Sequence, residues 1–128
     1  MPVYPEAKED ILKADIDFDT ATVRAVLVSA GYTYSAAHEF LTDLGANTIG
    51  TAVDVPGITV EDGTIDTSAT ELTFAAVPAG AAAVAVVFYI DTGVAGTSHL
   101  LVYDDTADVT PDGGDIIYSV NAQGIATL

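Results

Sequence analysis

Cysteine and tryptophan are absent from the 128 residues, and cations are nearly so: Lys8, Lys13 and Arg24 stand alone against nineteen Asp and Glu, for a formal net charge of −16. Without cysteine there is no disulfide framework, no thiolate nucleophile and no Cys-ligated zinc or iron–sulfur centre. Residues 25–128 hold thirteen acids and no Lys or Arg. Nucleic acids and anionic membrane surfaces are both recognised through clusters of cations, so neither is expected as a partner. Long apolar runs are missing as well. The longest, Ala75 to Ile90, is broken by Pro78 and Gly80 and falls short of the roughly 20 residues that a spanning helix needs. The opening, Met1 to Lys13, is polar and acidic, so no targeting segment is expected there.

Half of the residues are hydrophobic, and Val, Ile, Thr and Tyr are frequent, which separates this chain from acidic disordered sequences. Its length suits one domain over residues 1–128 with its own core. Residues 1–14 read as an N-terminal arm. Within it Pro5 to Lys13 has proline at its start, acids early and lysine late, the order that a helix dipole favours, with Ala7, Ile11 and Leu12 as its apolar members. Thr20 to Ala30 is β-branched and stops at Gly31, as a strand does. Ser35 to Leu44 predicts a second short helix, capped by Ser35, with Ala36, Phe40 and Leu44 on one face and Gly45 at its end.

Beyond Gly45 the period becomes two. Ile49, Val53 and Val55, then Leu72, Phe74 and Ala76, alternate as half-buried strands do. Turn chemistry stands between them at Val55-Pro-Gly57 and Glu61-Asp-Gly63. Ala82 to Ile90 is apolar at both parities and predicts a central strand covered on both faces. Leu100 to Tyr103 and Ile116 to Val120 read as strands joined by an acidic loop, Asp104 to Asp115, with Pro111-Asp-Gly-Gly114 at its tip. The pattern predicts a mainly β fold, a β-sandwich or partly closed barrel with two short N-terminal helices.

The chemistry is sparse. Asp15, Asp17 and Asp19 open like an EF-hand loop, but Thr20 stands where that loop needs glycine and Val26 where it needs a bidentate Glu. On an extended segment the three carboxylates would still project to one side. They and Asp104, Asp105 and Asp108, with Asp112 and Asp115 nearby, are the candidate cation ligands. A solvated acidic face is the alternative in both places. His38-Glu39 resembles the start of H-E-x-x-H, yet Thr42 occupies the second ligand position, so that zinc motif is absent. His99 is the only other histidine, 61 residues from His38; the two with a carboxylate could converge in space, but nothing in the spacing indicates it, and a loop or packing role for each is the alternative. Nucleophile elbows, phosphate loops and dinucleotide-binding turns are missing too. A pair of carboxylates acting as a hydrolase is compatible with nineteen acids, but no tryptophan is present to stack on a sugar. No catalytic residue and no cofactor are expected.

Several stretches together carry a resemblance: Leu12-x-x-x-Ile16-Asp17, the strand Thr22 to Val28, Tyr32-x-Tyr34-Ser-Ala-Ala-His38-Glu-Phe40-Leu, Leu72-Thr-Phe74, Ala85 to Gly93 followed by Ser98-x-Leu100-Leu, and the ending Asn121 to Leu128. This order resembles a family of small virion proteins of tailed phages that serve as head decoration or minor structural proteins. The resemblance covers nearly the whole chain and supplies no functional residue. It departs at Thr73, where many relatives have Trp, and in the acidic, Gly- and Asp-rich stretch 46–70. It implies a non-enzymatic capsid decoration or cement protein that binds the major capsid protein on the outer shell of a virion, as a homo-oligomer, a trimer first of all, after synthesis in the host cytoplasm. Residues Pro2 to Lys13, which hold two of the three cations, are the expected docking segment. The alternative is a neck, spike or tail component that binds host-surface glycans or cations. The acidic, lysine-poor composition also suits a halophilic host, the alternative being an ordinary host and a virion surface that is acidic for solubility.

Overall fold

The computed structural model describes residues 3–128, so Pro2, the first residue of the expected docking segment, lies outside the described residues. Among the described residues, one α-helix, α1 (Pro5–Leu12), precedes nine strands: β1 (Thr22–Ser29), β2 (Thr48–Asp54), β3 (Thr59–Glu61), β4 (Thr64–Asp66), β5 (Glu71–Phe74), β6 (Ala83–Asp91), β7 (Leu100–Val109), β8 (Ile116–Ser119) and β9 (Ala126–Thr127). The main sheet has the order β2-β1-β6-β7, and all of its neighbours are antiparallel. Two smaller sheets, β3-β4-β9 and β5-β8, pack with it in a sandwich-like arrangement, and no barrel closes among the described residues. No helix among them is long and apolar enough to cross a membrane.

The centre of this plan is β6, as its two-sided apolar pattern predicts. Every residue of β6 from Ala85 to Ile90 is buried. Alternation along the strand sends neighbouring side chains to opposite faces. Phe88 stands on the face that receives β5 and β8, where its ring meets Tyr118 at 6.0 Å edge-on. Val87 is paired with Tyr103 on the opposite face, and Tyr103 lies against Tyr32 and Tyr34 there. The sheet is thus covered by strands on one side and by residues 32–45 with α1 on the other. Ile65, Leu72, Phe74, Tyr118 and Ile125, from the two small sheets, belong to the same hydrophobic core as β1, β6 and β7.

Two expected elements take another form. The helix expected over Ser35 to Leu44 is replaced by a hydrogen-bonded turn, the extended residue Phe40 and a short 3-10 turn, Leu41–Leu44. The cause is tertiary: Phe40 forms a β-bridge with His99, the Leu41 N–H donates to the Ser98 carbonyl at 2.8 Å, and the Leu100 N–H donates to the Glu39 carbonyl at 2.7 Å. Backbone groups that a helix would have paired internally are therefore spent on the start of β7. The acidic loop expected over Asp104 to Asp115 is strand in its first half. Asp104 sits opposite Val86 and Asp105 opposite Ala85, so β7 continues to Val109. An edge strand tolerates charges that a central strand would not. By contrast, the Glu61-Asp-Gly63 signal gives the expected turn. Asp62 and Gly63 both have positive φ, 50° and 76°, as a two-residue turn between twisted strands requires, and β3 and β4 pair across it.

Candidate functional site

The polar residues that the fold brings together lie where α1 meets the main sheet. Pro5 opens the helix, and the chain before it is fastened to β7 by a bridge from Val3 to Val102 and by the Tyr4 N–H, which donates to the Leu101 carbonyl at 3.0 Å. The buried members of α1 are Ala7 and Asp10, while Leu12 is 87% exposed. Spacing explains Asp10: three residues after Ala7, it falls on the same helix face.

Asp10 is only 4% exposed, and its Oδ2 lies 2.6 Å from Nδ1 of His99. The His99 ring in turn packs against Phe40, with centroids 5.1 Å apart. Glu39 completes the group: one ligand-bearing atom each of Asp10, Glu39 and His99 lies within 4.8 Å of the others. The Glu39 carboxyl is raised above its ordinary range, first by partial desolvation and then by the charges of Asp10 and Glu6, with His99 opposing. The backbone of this segment is held from below by Asp43, whose Oδ2 accepts the N–H groups of Glu39 at 2.8 Å and Phe40 at 3.0 Å. Desolvation pushes the Asp43 carboxyl upward, but those two donors outweigh it and hold the group below its usual range.

A second, tyrosine-rich cluster flanks the first. The hydroxyls of Tyr4 and Tyr32 are 2.7 Å apart, and that of Tyr32 is 2.8 Å from His38 Nδ1. The rings of Tyr4 and Tyr34 are 5.0 Å apart and those of Tyr34 and Tyr103 5.5 Å. Burial, and then the hydrogen bond to Tyr32, push the Tyr4 hydroxyl far above its normal pKa. Burial raises Tyr32 and Tyr103 as well. His38 and Glu39, adjacent in sequence, therefore serve two separate clusters, one through Tyr32 and the other through Asp10 and His99.

The acids singled out by sequence do not gather. The Asp17 Oδ1 accepts the Asp19 N–H at 3.0 Å and the Asp17 carbonyl receives the Ala21 N–H, so Asp15, Asp17 and Asp19 border a turn instead of lining an extended segment. Asp104 accepts the hydroxyl of Tyr118. Asp105 and Asp108 are exposed along β7. Asp112 accepts the Gly114 N–H at 2.9 Å and Asp115 the Ala76 N–H at 2.9 Å. Among the described residues, the group of three with metal-ligand spacing is Asp10, Glu39 and His99; the two histidines that the sequence offers, His38 and His99, do not share it, and Asp10 shows no ligand spacing in the sequence. A polar residue at the helical spacing of Ala7 was the available signal, and the apolar Ile11 and Leu12 concealed it.

Arg24 is the cation that reaches into the acidic part of the chain. Its Nε is 2.9 Å from Asp54 Oδ1 and 3.3 Å from Asp91 Oδ2, contacts of charge and not aligned hydrogen bonds, since the Nε hydrogen has no acceptor in line. One guanidinium on β1 thus serves both neighbouring strands, β2 and β6. No protein-family model, no curated protein and no solved structure matches the chain.

Proposed function

We propose that the protein is a non-enzymatic virion component, a capsid decoration or cement protein that binds the major capsid protein on the outer shell and reinforces joints between its subunits. The observation that supports the reading is where the segments with the phage-protein resemblance lie. Thr22 to Val28 is β1, Ala85 to Gly93 is the central β6 and its turn, Leu100-Leu opens β7, and Tyr32 to Leu41 is the cover over that sheet. The divergent stretch 46–70 contains β2 and the peripheral β3-β4 hairpin. The resemblance thus covers the inner strands β1 and β6 and also the ending with β9, while its departures fall on the edge strand β2, the β3-β4 hairpin and the exposed Thr73 of β5, a distribution suited to an architecture that is kept and a surface that is fitted to a different shell.

The expected docking segment takes a definite form. From Val3 onward it is already fastened to β7, with Tyr4, Ala7 and Asp10 buried. The outward side carries Leu12, with Lys8 and Lys13 near it in sequence. An exposed leucine beside the sole lysines of an acidic surface is suited to an acidic, partly apolar patch on the capsid protein. Self-association into a trimer at local three-fold positions belongs to the same proposal. The test is quantitative mass spectrometry of purified particles of the source virus. Hundreds of copies per particle are expected; a handful, or none, overturns the decoration role.

A further inference from the structure

We propose that Asp10, Glu39 and His99 form a binding site for one divalent ion of the zinc class, which would tie α1, the 38–41 segment and the start of β7 together. The three residues come from separate parts of the chain, yet one ligand-bearing atom of each lies within 4.8 Å of the others. Around a zinc ion with bonds of about 2.0–2.2 Å, tetrahedral ligand atoms sit about 3.3–3.6 Å from one another. The group therefore needs side-chain adjustments and no rearrangement of the backbone.

The backbone is in fact fixed. Glu39 and His99 stand on two strands of chain joined by the hydrogen bonds from Leu100 to Glu39 and from Leu41 to Ser98. Phe40 packs on the imidazole, and Asp43 holds the Glu39 and Phe40 amides. Ligands that are oriented before the ion arrives lose little freedom when it binds.

Charge points the same way. Asp10 is almost fully buried, and a buried carboxylate is costly unless paired. His99 is its partner, but Glu39 adds a second carboxylate to the same place and Glu6 a third acid close by. One imidazole cannot balance them, and the lysine of the helix end is engaged with Glu9. A divalent ion on a neutral imidazole and two carboxylates cancels the charge of its own ligands. The donor set selects the class: one nitrogen with two oxygens suits zinc, cobalt, nickel or manganese, whereas calcium and magnesium favour all-oxygen shells. The partial exposure of Glu39 leaves a side from which the ion and a completing water enter.

The experiment uses the full chain stripped with a chelator and then titrated with zinc chloride by calorimetry, with thermal melts in parallel. One ion per chain is expected, together with a melting temperature raised by zinc and cobalt well beyond the effect of calcium or magnesium at equal ionic strength. Cobalt should give the visible absorption of a four- or five-coordinate N/O site. Zinc should shift the ring resonances of His99 and leave those of His38 in place. Glu39→Gln keeps the Asp10–His99 pair and hence the fold, and should weaken zinc binding by about tenfold or more; His99→Gln should weaken it further. An absence of zinc binding overturns the proposal. So does a zinc effect matched by calcium or magnesium, or one unchanged in Glu39→Gln.

Discussion

Asp10 and Asp112 are both aspartates on a strongly acidic chain, and they are used in opposite ways. On the side where α1 lies, Asp10 is buried and reaches His99, 89 residues away, and the Tyr4 hydroxyl reaches Tyr32 across 28 residues. At the acidic end, Asp112 turns back to an amide two residues on, as Asp91 does to Gly93 and Asn121 to Gln123. The long-range exceptions there, Asp104 to Tyr118 and Asp115 to Ala76, join strands or turns of neighbouring elements. The difference follows from partners. Both histidines and four of the six tyrosines lie in the first region, so Asp10 and the hydroxyls of Tyr4 and Tyr32 find side-chain partners there, while Asp43 caps amides. An aspartate without such partners caps the nearest free amide, which is the ordinary role of aspartate in turns. The acidic end is then held by its apolar face, by Phe74, Phe88 and Tyr118.

If that division is right, the two regions break under different changes. The largest effect is expected from Phe74→Ala, which removes a ring that is 1% exposed from the β5-β8 cover. It should cost about 3–5 kcal/mol in urea unfolding, with the denaturant midpoint falling and the slope unchanged. Asp10→Ala should cost about 1–3 kcal/mol, because it leaves His99 in a half-buried place without its acceptor. The sharper measurement is a double-mutant cycle with His99→Ala. A coupling energy near zero would mean that α1 is held by packing alone.

Alkaline pH should expose the same division. Burial raises the hydroxyl pKa of Tyr4, Tyr32, Tyr89, Tyr103 and Tyr118. Below about pH 10 these tyrosines are neutral whether the chain is folded or not. Above it the unfolded chain releases its protons first, so stability is lost as pH climbs from the unfolded value toward the raised folded ones. Tyr4→Phe and Tyr118→Phe should each flatten that fall in a series of melts between pH 8 and 11. An equally steep fall in both variants would remove these hydroxyls as its cause.

The smallest effect concerns salt. The thirteen acids of residues 25–128 have no Lys or Arg among them in the sequence, and the guanidinium of Arg24 already serves Asp54 and Asp91. Mutual repulsion among the rest is screened over about 8 Å at physiological ionic strength and about 3 Å at 1 M. The melting temperature should rise by a few degrees from 0.05 to 2 M KCl, and less in a variant with Asp105 and Asp108 changed to Asn. A flat series would show that the exposed carboxylates are already far enough apart, and would remove the physical basis for a salt-adapted host.

Much of the fold is legible in the sequence because burial leaves a period. The two-sided apolar run of β6, the alternation around Leu72 and Phe74, and the Asp62-Gly63 turn each report a local requirement that local residues meet. The cluster at α1 is not legible in the same way. Ala36, Phe40 and Leu44 have helical spacing, yet the backbone between them pairs with β7, and no property of residues 35–44 reveals that partner. Asp10 carries no pattern of its own either, for its value lies in His99. Composition and periodicity by themselves determined that the chain is β-rich, cysteine-free and acidic, since those are properties of residue types and their periods. Only tertiary structure decided that Asp10, Glu39 and His99 form a group with ligand spacing while Asp15, Asp17, Asp19, Asp104, Asp105 and Asp108 form none, because a site is a matter of distance in space, and distance between remote residues is set by how the sheet and helix pack.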